Sequence, residues 1–403
     1  MKNDDKKDHN QLLRSAWQQF CDELKASGEL VFDENSPDNP ITRAAGIRLL
    51  ARNISLALQF QLENNNAEFP ELLHYFDPIR KQGGDNADAH YSGAPINGQH
   101  IYRIRGNRGS AKYFAITLLE DGDTPWGGAV VETRLAKDLN IGEDGQFELW
   151  ISPEKPADFD TENHNWMQSS ADTYRITFRQ FFADWLNEEP MQLHIECLSQ
   201  SAAAPAFGPL ELSEGLAKSV AWLRESSRYW ATMIDKWRAQ PNRFLSYGEV
   251  EKNKIDFTPG GAPLIAYWRV ARDEALILRV TPPDASYWSV EFGNYWWETM
   301  DYRYRLSGTN CHHATLEADG ELIVVISHED IGAKNWLEPS GHEEGYITYR
   351  WIGCDNYPRP VAQQIPLAQL KAEQPELTGH INTQQRRREL AARREGVNRR
   401  FGS

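Results

Sequence analysis

The sequence predicts a β-rich α+β protein: two duplicated β-sandwich or jelly-roll-like modules with helical N-terminal, linking and C-terminal segments. Three observations carry this. Motifs recur in one order at an offset of 170 to 176 residues: Tyr91 to Arg103 against Tyr267 to Arg279 without a gap, Asp144-Gly145 with QFELWIS against Asp319-Gly320 with ELIVVIS, Asn165-Trp166 against Asn335-Trp336, and Arg179 against Arg350. Each Asp-Gly stands between strand-like runs, and a type I′ hairpin turn needs positive φ at both central positions. Stretches with helical periodicity fall outside the two copies.

Residues 1–86 form the N-terminal helical segment. Leu13, Trp17, Phe20 and Leu24 mark one helix over Leu12 to Leu24. Asn39-Pro40 starts a second, with Ile47, Leu50, Ile54 and Leu58 in one stripe. The first β module spans 87–198. Residues 199–262 hold the small-residue linker Ser199 to Pro209, a long helix from a Ser213 cap to Gln240, and a loop from Tyr247 to Pro263. That helix carries Leu216, Val220, Leu223, Trp230, Ile234 and Trp237, and Pro241 stops it. The second β module spans 263–360, and a helical basic tail follows over 361–403. From Arg386 to Arg400 the tail has seven Arg against two Glu. It reads as a solvated helix offsetting an acidic body, or as an arm for an acidic partner.

With 403 residues, 40% hydrophobic and 25% charged, the chain has the composition of a soluble globular protein. A net charge of −15 argues against nucleic acid or an anionic membrane as partner. No apolar run is long enough to span a bilayer, and the first residues lack the apolar stretch of a signal peptide, so a cytoplasmic location is expected. Cys21, Cys197, Cys311 and Cys354 fall at no metal or redox spacing. No cofactor and no metal are implied, and a homo-oligomer is left open.

The stretch from Tyr287 to Gly353 contains DYRY at Asp301, ADGELIVVIS at Ala318, NWLEPSGHEEG at Asn335 and ITYRW at Ile347. In these residues it resembles the family catalogued as domain of unknown function 1214. YRIRGNRG at Tyr102 makes the first module look like the N-terminal half of longer members. The resemblance implies a β-sandwich or jelly-roll-like architecture and carries over no catalytic residue.

Residues present in both copies are expected to serve the module's fold, and those present in one are free to carry chemistry. The second copy alone holds YWSVEFGNYWWETMDYRYRLSGTNCHH, Tyr287 to His313, where carboxylates alternate with aromatic rings. Apolar walls raise one carboxyl's pKa while a neighbouring Arg keeps another ionised, which suits acid–base work on a ring. Glu298 and Asp301 are the expected acid–base pair, with Arg303 orienting and His312 completing the catalytic set. Trp296, Trp297, Tyr295, Tyr302, Asn310 and Trp336 are the expected substrate platform. The competing reading is a strand pair with salt bridges over a Trp-packed core. His312 and His313 are adjacent, so in a strand they face opposite ways and cannot share one ion. No GxSxG occurs, and Cys311 beside His312 is only a sequential pairing. The expected function is an intracellular enzyme acting on a small ring-containing substrate, glycosidic, steroidal or terpenoid. The alternatives are a non-catalytic small-molecule or carbohydrate-binding protein and a protein-interaction scaffold.

Overall fold

A computed structural model describes residues 3–122, 124–157, 159–199, 203–250 and 258–402. The predicted linker and the predicted 247–263 loop fall partly on 200–202 and 251–257, which lie outside the described residues. The chain opens with helices α1 (Asn3–Ser27) and α2 (Pro40–Leu58). Asn39 caps α2 as predicted, its side chain accepting from Thr42 N at 2.8 Å.

Nine strands follow: β1 (Leu73–His74), β2 (Ala89–Pro95), β3 (Tyr102–Asn107), β4 (Tyr113–Glu120), β5 (Val130–Leu135), β6 (Gln146–Ser152), β7 (Asn165–Gln168), β8 (Thr173–Phe181) and β9 (Gln192–Cys197). Helix α3 (Pro209–Arg238) leads into the second set: β10 (Leu245–Ser246), the short α4 (Tyr247–Val250), β11 (Gly261–Arg269), β12 (Glu274–Val280), β13 (Tyr287–Phe292), β14 (Gly308–Asn310), β15 (Leu322–Ser327), β16 (Trp336–Leu337), β17 (Glu344–Ile352) and β18 (Val361–Pro366). Helices α5 (Leu367–Glu373) and α6 (Thr383–Phe401) end the described chain.

The duplication extends to topology. One module has sheets β1-β2-β8-β4-β5 and β7-β6-β3-β9, and the other has β10-β11-β17-β13-β14 and β16-β15-β12-β18. Adding nine to every strand number converts the first into the second. In each module a five-stranded and a four-stranded sheet enclose a core, Ile104, Ile116, Leu149 and Phe178 in the first and Leu278, Val290, Val324 and Tyr349 in the second.

Strand register corrects the ungapped match of Tyr91–Arg103 with Tyr267–Arg279. Arg179 pairs Tyr91, whereas Arg350 pairs Pro263. Arg105 lies opposite Glu148, and Arg279 opposite Ile323, the residue equivalent to Glu148. Arg279 therefore corresponds to Arg105, not Arg103. A slip of two residues keeps every side chain on its face, so alternation could not reveal it. The Asp-Gly turns also differ from expectation. Gly145 and Gly320 have φ of 80° and 87°, but Asp144 and Asp319 do not take positive φ. Gly145 N donates to Gly142 O and Gly320 N to Glu317 O, so each is a three-residue loop with Gly in the left-handed position.

Both Asn-Trp pairs do the same work. Asn165 Nδ2 donates to Asn140 O and Glu148 O, and Asn335 Nδ2 to Thr315 O and Ile323 O. Trp166 and Trp336 each donate to the hydroxyl of the serine ending the neighbouring strand, Ser152 at 2.9 Å and Ser327 at 3.1 Å. They fix the parallel pairs β6–β7 and β15–β16.

Two helix expectations change. Helix α3 begins at Pro209 rather than at a Ser213 cap, with Glu211 accepting from Gly208 N at 3.1 Å. The basic tail is neither solvated nor an arm on its inner face. Arg386, Arg393 and Arg400, seven residues apart on α6, are buried. Arg386 donates to Asp330 and Ala333 O, Arg393 to Gly308 O, and Arg400 to Ala87 O. Their guanidinium groups lie over Trp336, Trp185 and Phe182 respectively. The helix thus straps the second module to the first.

Candidate functional site

The modules meet through their five-stranded sheets. Strand alternation sends Ile176 and Phe178 of β8 into the sandwich, so Arg175, Thr177, Arg179 and Phe181 point out. On β17, Ile347 and Tyr349 point in, and Thr348, Arg350 and Ile352 point out. Phe181 stacks on Tyr287 at 5.2 Å, and Tyr287 and Asn310 both donate to Asp88 across the junction, at 2.7 and 2.9 Å.

Beside this contact the sheets separate around a cavity of about 740 Å³, within the usual range of about 300–1,000 Å³ for ligand pockets. Arg175, Thr177 and Arg179 of β8 line it with Tyr91 and Thr117 on one side, and Ile265, Thr348 and Arg350 on the other. Trp126, Tyr229, Trp230 and Trp297 supply aromatic wall, and Gln82 to Asp85 close it. The indole Nε1 of Trp126, Trp230 and Trp297 is buried without a hydrogen-bond partner among the described residues, as are Arg175 Nε and Gln82 Oε1. Buried polar groups are normally paired, so this concentration at one cavity is unusual.

Trp297 is held there under strain. Its φ is +60°, costly for a bulky residue, by about 1–3 kcal/mol. Its surroundings impose it: Trp297 O accepts from Gly84 N at 2.8 Å, and its ring stacks on Tyr346 at 4.9 Å and 16°. Gly83 and Gly84 also need left-handed backbone (φ +68° and +70°), and a Cβ on Gly83 would come within 2.6 Å of the Trp230 ring.

Of the ten predicted site residues, Trp297 alone lines the cavity. Glu298 is buried and paired with Arg52 of α2 at 2.8 Å, and also accepts from Asn294 at 3.0 Å. Burial raises its pKa against the pull of Arg52. Asp301 takes a bidentate grip from Arg303, both bonds 2.9 Å; burial works against its charge, but Arg303 and Lys81 hold it below the usual carboxylate range. Asp301 and Arg303 thus partner each other rather than face the cavity. His312 is half exposed, 3.7 Å from Asp184, and it lies in a turn with His313 rather than a strand; both backbone N–H groups donate to Asn310 Oδ1. Asn310 itself is consumed at the module junction. Trp296 donates to Thr42 O at 2.7 Å, Tyr295 packs edge-on against Trp296, and Trp336 anchors β16. Tyr302 lies 4.0 Å under Lys81 Nζ. The expected cluster therefore welds the 293–307 loop to the helices and does not converge.

Lys81 is the hub of that weld. Fully buried, it donates to Thr299 O, Thr299 Oγ1 and Met300 O at 3.1, 2.9 and 2.7 Å. Thr299 in turn donates to both oxygens of Asp85, from Oγ1 at 2.6 Å and from N at 3.1 Å. Burial raises the Asp85 pKa, with Lys81 and Thr299 opposing.

The residues missed from sequence are Tyr91, Arg175, Arg179, Trp230 and Arg350. The signal was present in the duplication, because Arg179 and Arg350 recur while Glu291, which pairs with Arg350, belongs to one copy only. No cluster of three or more His, Cys, Asp or Glu suited to a metal occurs among the described residues, and no described helix is long and apolar enough to cross a membrane.

No protein of curated function matches the chain. A crystal structure of an uncharacterized protein from Burkholderia cenocepacia matches with 32% sequence identity over 90% of this chain and 100% of that one, at a TM-score of 0.82. A protein from Vibrio parahaemolyticus matches at 10% identity and a TM-score of 0.46, over 85% of this chain and all of its own. The model of a protein family of unknown function, DUF1214, matches residues 86–184 and 274–355, one segment in each β module. With the family model matching a segment of each module and a relative 32% identical over 90% of this chain, the chain belongs to the DUF1214 family.

Proposed function

We propose that this protein binds a small ring-bearing molecule in the cavity between its modules. The observation that carries the reading is the aromatic wall of Trp126, Trp230 and Trp297, whose three indole N–H groups have no partner among the described residues. Rings stack on such walls. Phenylnaphthylamine, a neutral ring compound that fluoresces when desolvated, is a suitable probe. Saturable binding is expected, weakened by about 1–3 kcal/mol, roughly five- to 150-fold, in Trp230→Ala. An unchanged Kd in that variant would remove the cavity as the site.

A catalytic version rests on Asp85, a carboxylate lining the cavity with its pKa raised by burial. Mass spectrometry of a captured ligand, after incubation with wild type and with Asp85→Asn, tests it. Product from the wild type alone favours catalysis, and an unaltered ligand in both leaves a binding protein.

A further inference from the structure

The two copies of the cavity wall differ in charge. In the second module, Thr348 pairs with Glu291 across β17 and β13, and Glu291 accepts from Arg350 two residues along. In the first, Thr177 stands where Thr348 does, and its partner on β4 is Thr117. Thr117 therefore occupies the place of Glu291. Arg179, the counterpart of Arg350, is left without that carboxylate. Among the described residues Arg179 has no ion pair and no side-chain hydrogen bond. Its recorded contact is the Tyr91 ring, 5.6 Å away.

Four residues along the same face, about 13 Å of strand, stands Arg175, which is partnered by the side chains of Tyr75 and Tyr174. It has no ion pair among the described residues, and its guanidinium lies over Phe60 at 4.4 Å and Tyr75 at 5.4 Å. Of the other charges at the cavity, Glu291 balances Arg350, and Lys81 lies close enough to influence Asp85. The wall is thus cationic inside a chain of net charge −15. An unpaired guanidinium lining a cavity favours an oxyanion, which can accept two parallel N–H bonds.

We propose that the ligand is an anion, a ring-bearing carboxylate or sulfonate whose charged group sits on Arg179 while its ring lies on the tryptophan wall. This rests on the cavity being the binding site.

The test uses two probes with one skeleton, anilinonaphthalene sulfonate and phenylnaphthylamine, which lacks the sulfonate. Wild type is expected to bind the sulfonate more tightly. Arg179→Gln should weaken the sulfonate roughly tenfold or more and leave the neutral probe nearly unchanged. Thr117→Glu restores the second module's carboxylate, neutralises Arg179 without removing it, and should give the same selective loss. It decides the question alone if Arg179→Gln fails to fold. Unchanged sulfonate affinity in Thr117→Glu, or equal weakening of both probes, overturns the anion assignment while the cavity stands. If wild type binds neither probe, or Trp230→Ala affects neither, the cavity reading itself falls.

Discussion

Lys81 illustrates how far a single side chain departs from its solution chemistry here. Burial lowers its pKa from 10.5 to about 8, although Asp85, Asp301 and Glu298 favour its charge; Arg52 adds to the lowering. Between these values the unfolded chain holds a proton that the folded one has released. Stability therefore rises with pH across that window, because the unfolded state binds more protons. Relative to Lys81→Met, wild type is expected to gain roughly 1–3 kcal/mol between about pH 8 and 10. Urea titrations of both proteins along a pH series measure it, and a constant difference would mean that Lys81 titrates normally. The same region explains why the sequence pattern of Glu298, Asp301 and Arg303 does not by itself distinguish a site from a buried cluster. Glu298, Asp301 and Arg303 stand among aromatic rings in the sequence, as site residues do. Yet Glu298 is paired with Arg52, more than 200 residues away, Asp301 is held by Arg303 beside it and by the charge of distant Lys81, and ion pairs of this kind produce the same local pattern as an active site.

At the level of elements, α6 and the 293–307 loop do for the modules what a linker does not. The loop lies on α2 and the Lys81–Asp88 segment, and α6 crosses from Asp330 to Ala87. Deleting residues 383–403 removes three buried guanidinium contacts and uncovers Trp185 and Trp336. A loss of several kcal/mol, on the order of 5, is expected in chemical denaturation. An unchanged midpoint would make the helix a free arm after all. The seven-residue spacing of Arg386, Arg393 and Arg400 was legible, but its inward direction was not. Arginine is rarely buried, so a regular row of it reads as a solvated face until its carbonyl and aromatic partners are known.

For the whole molecule, the duplicated architecture was legible because each module repeats its own short-range signals: the Asp-Gly loops, the Asn-Trp pairs and the alternating strands. The cavity was not, because its wall is drawn from segments around residues 82, 91, 126, 177, 230, 265, 297 and 350. Only the packing of one sheet on another brings them together. The same packing predicts that the covalent link between modules is dispensable once folding is complete. With a protease site inserted between residues 203 and 207, cleavage should leave both halves in one peak on size exclusion, held by Arg52–Glu298, Tyr287–Asp88 and α6. Separation into two peaks would show that the junction contributes little.

The strap formed by α6 also sets an order of events during synthesis. Trp185 leaves the ribosome about 200 residues before Arg393 arrives to cover it, and Ala87 more than 300 residues before Arg400, delays of roughly 10–60 s at typical elongation rates. Throughout, the first module presents an aromatic surface with its partner unmade. Newly made chains should therefore depend on chaperones more than the stability of the finished protein would suggest.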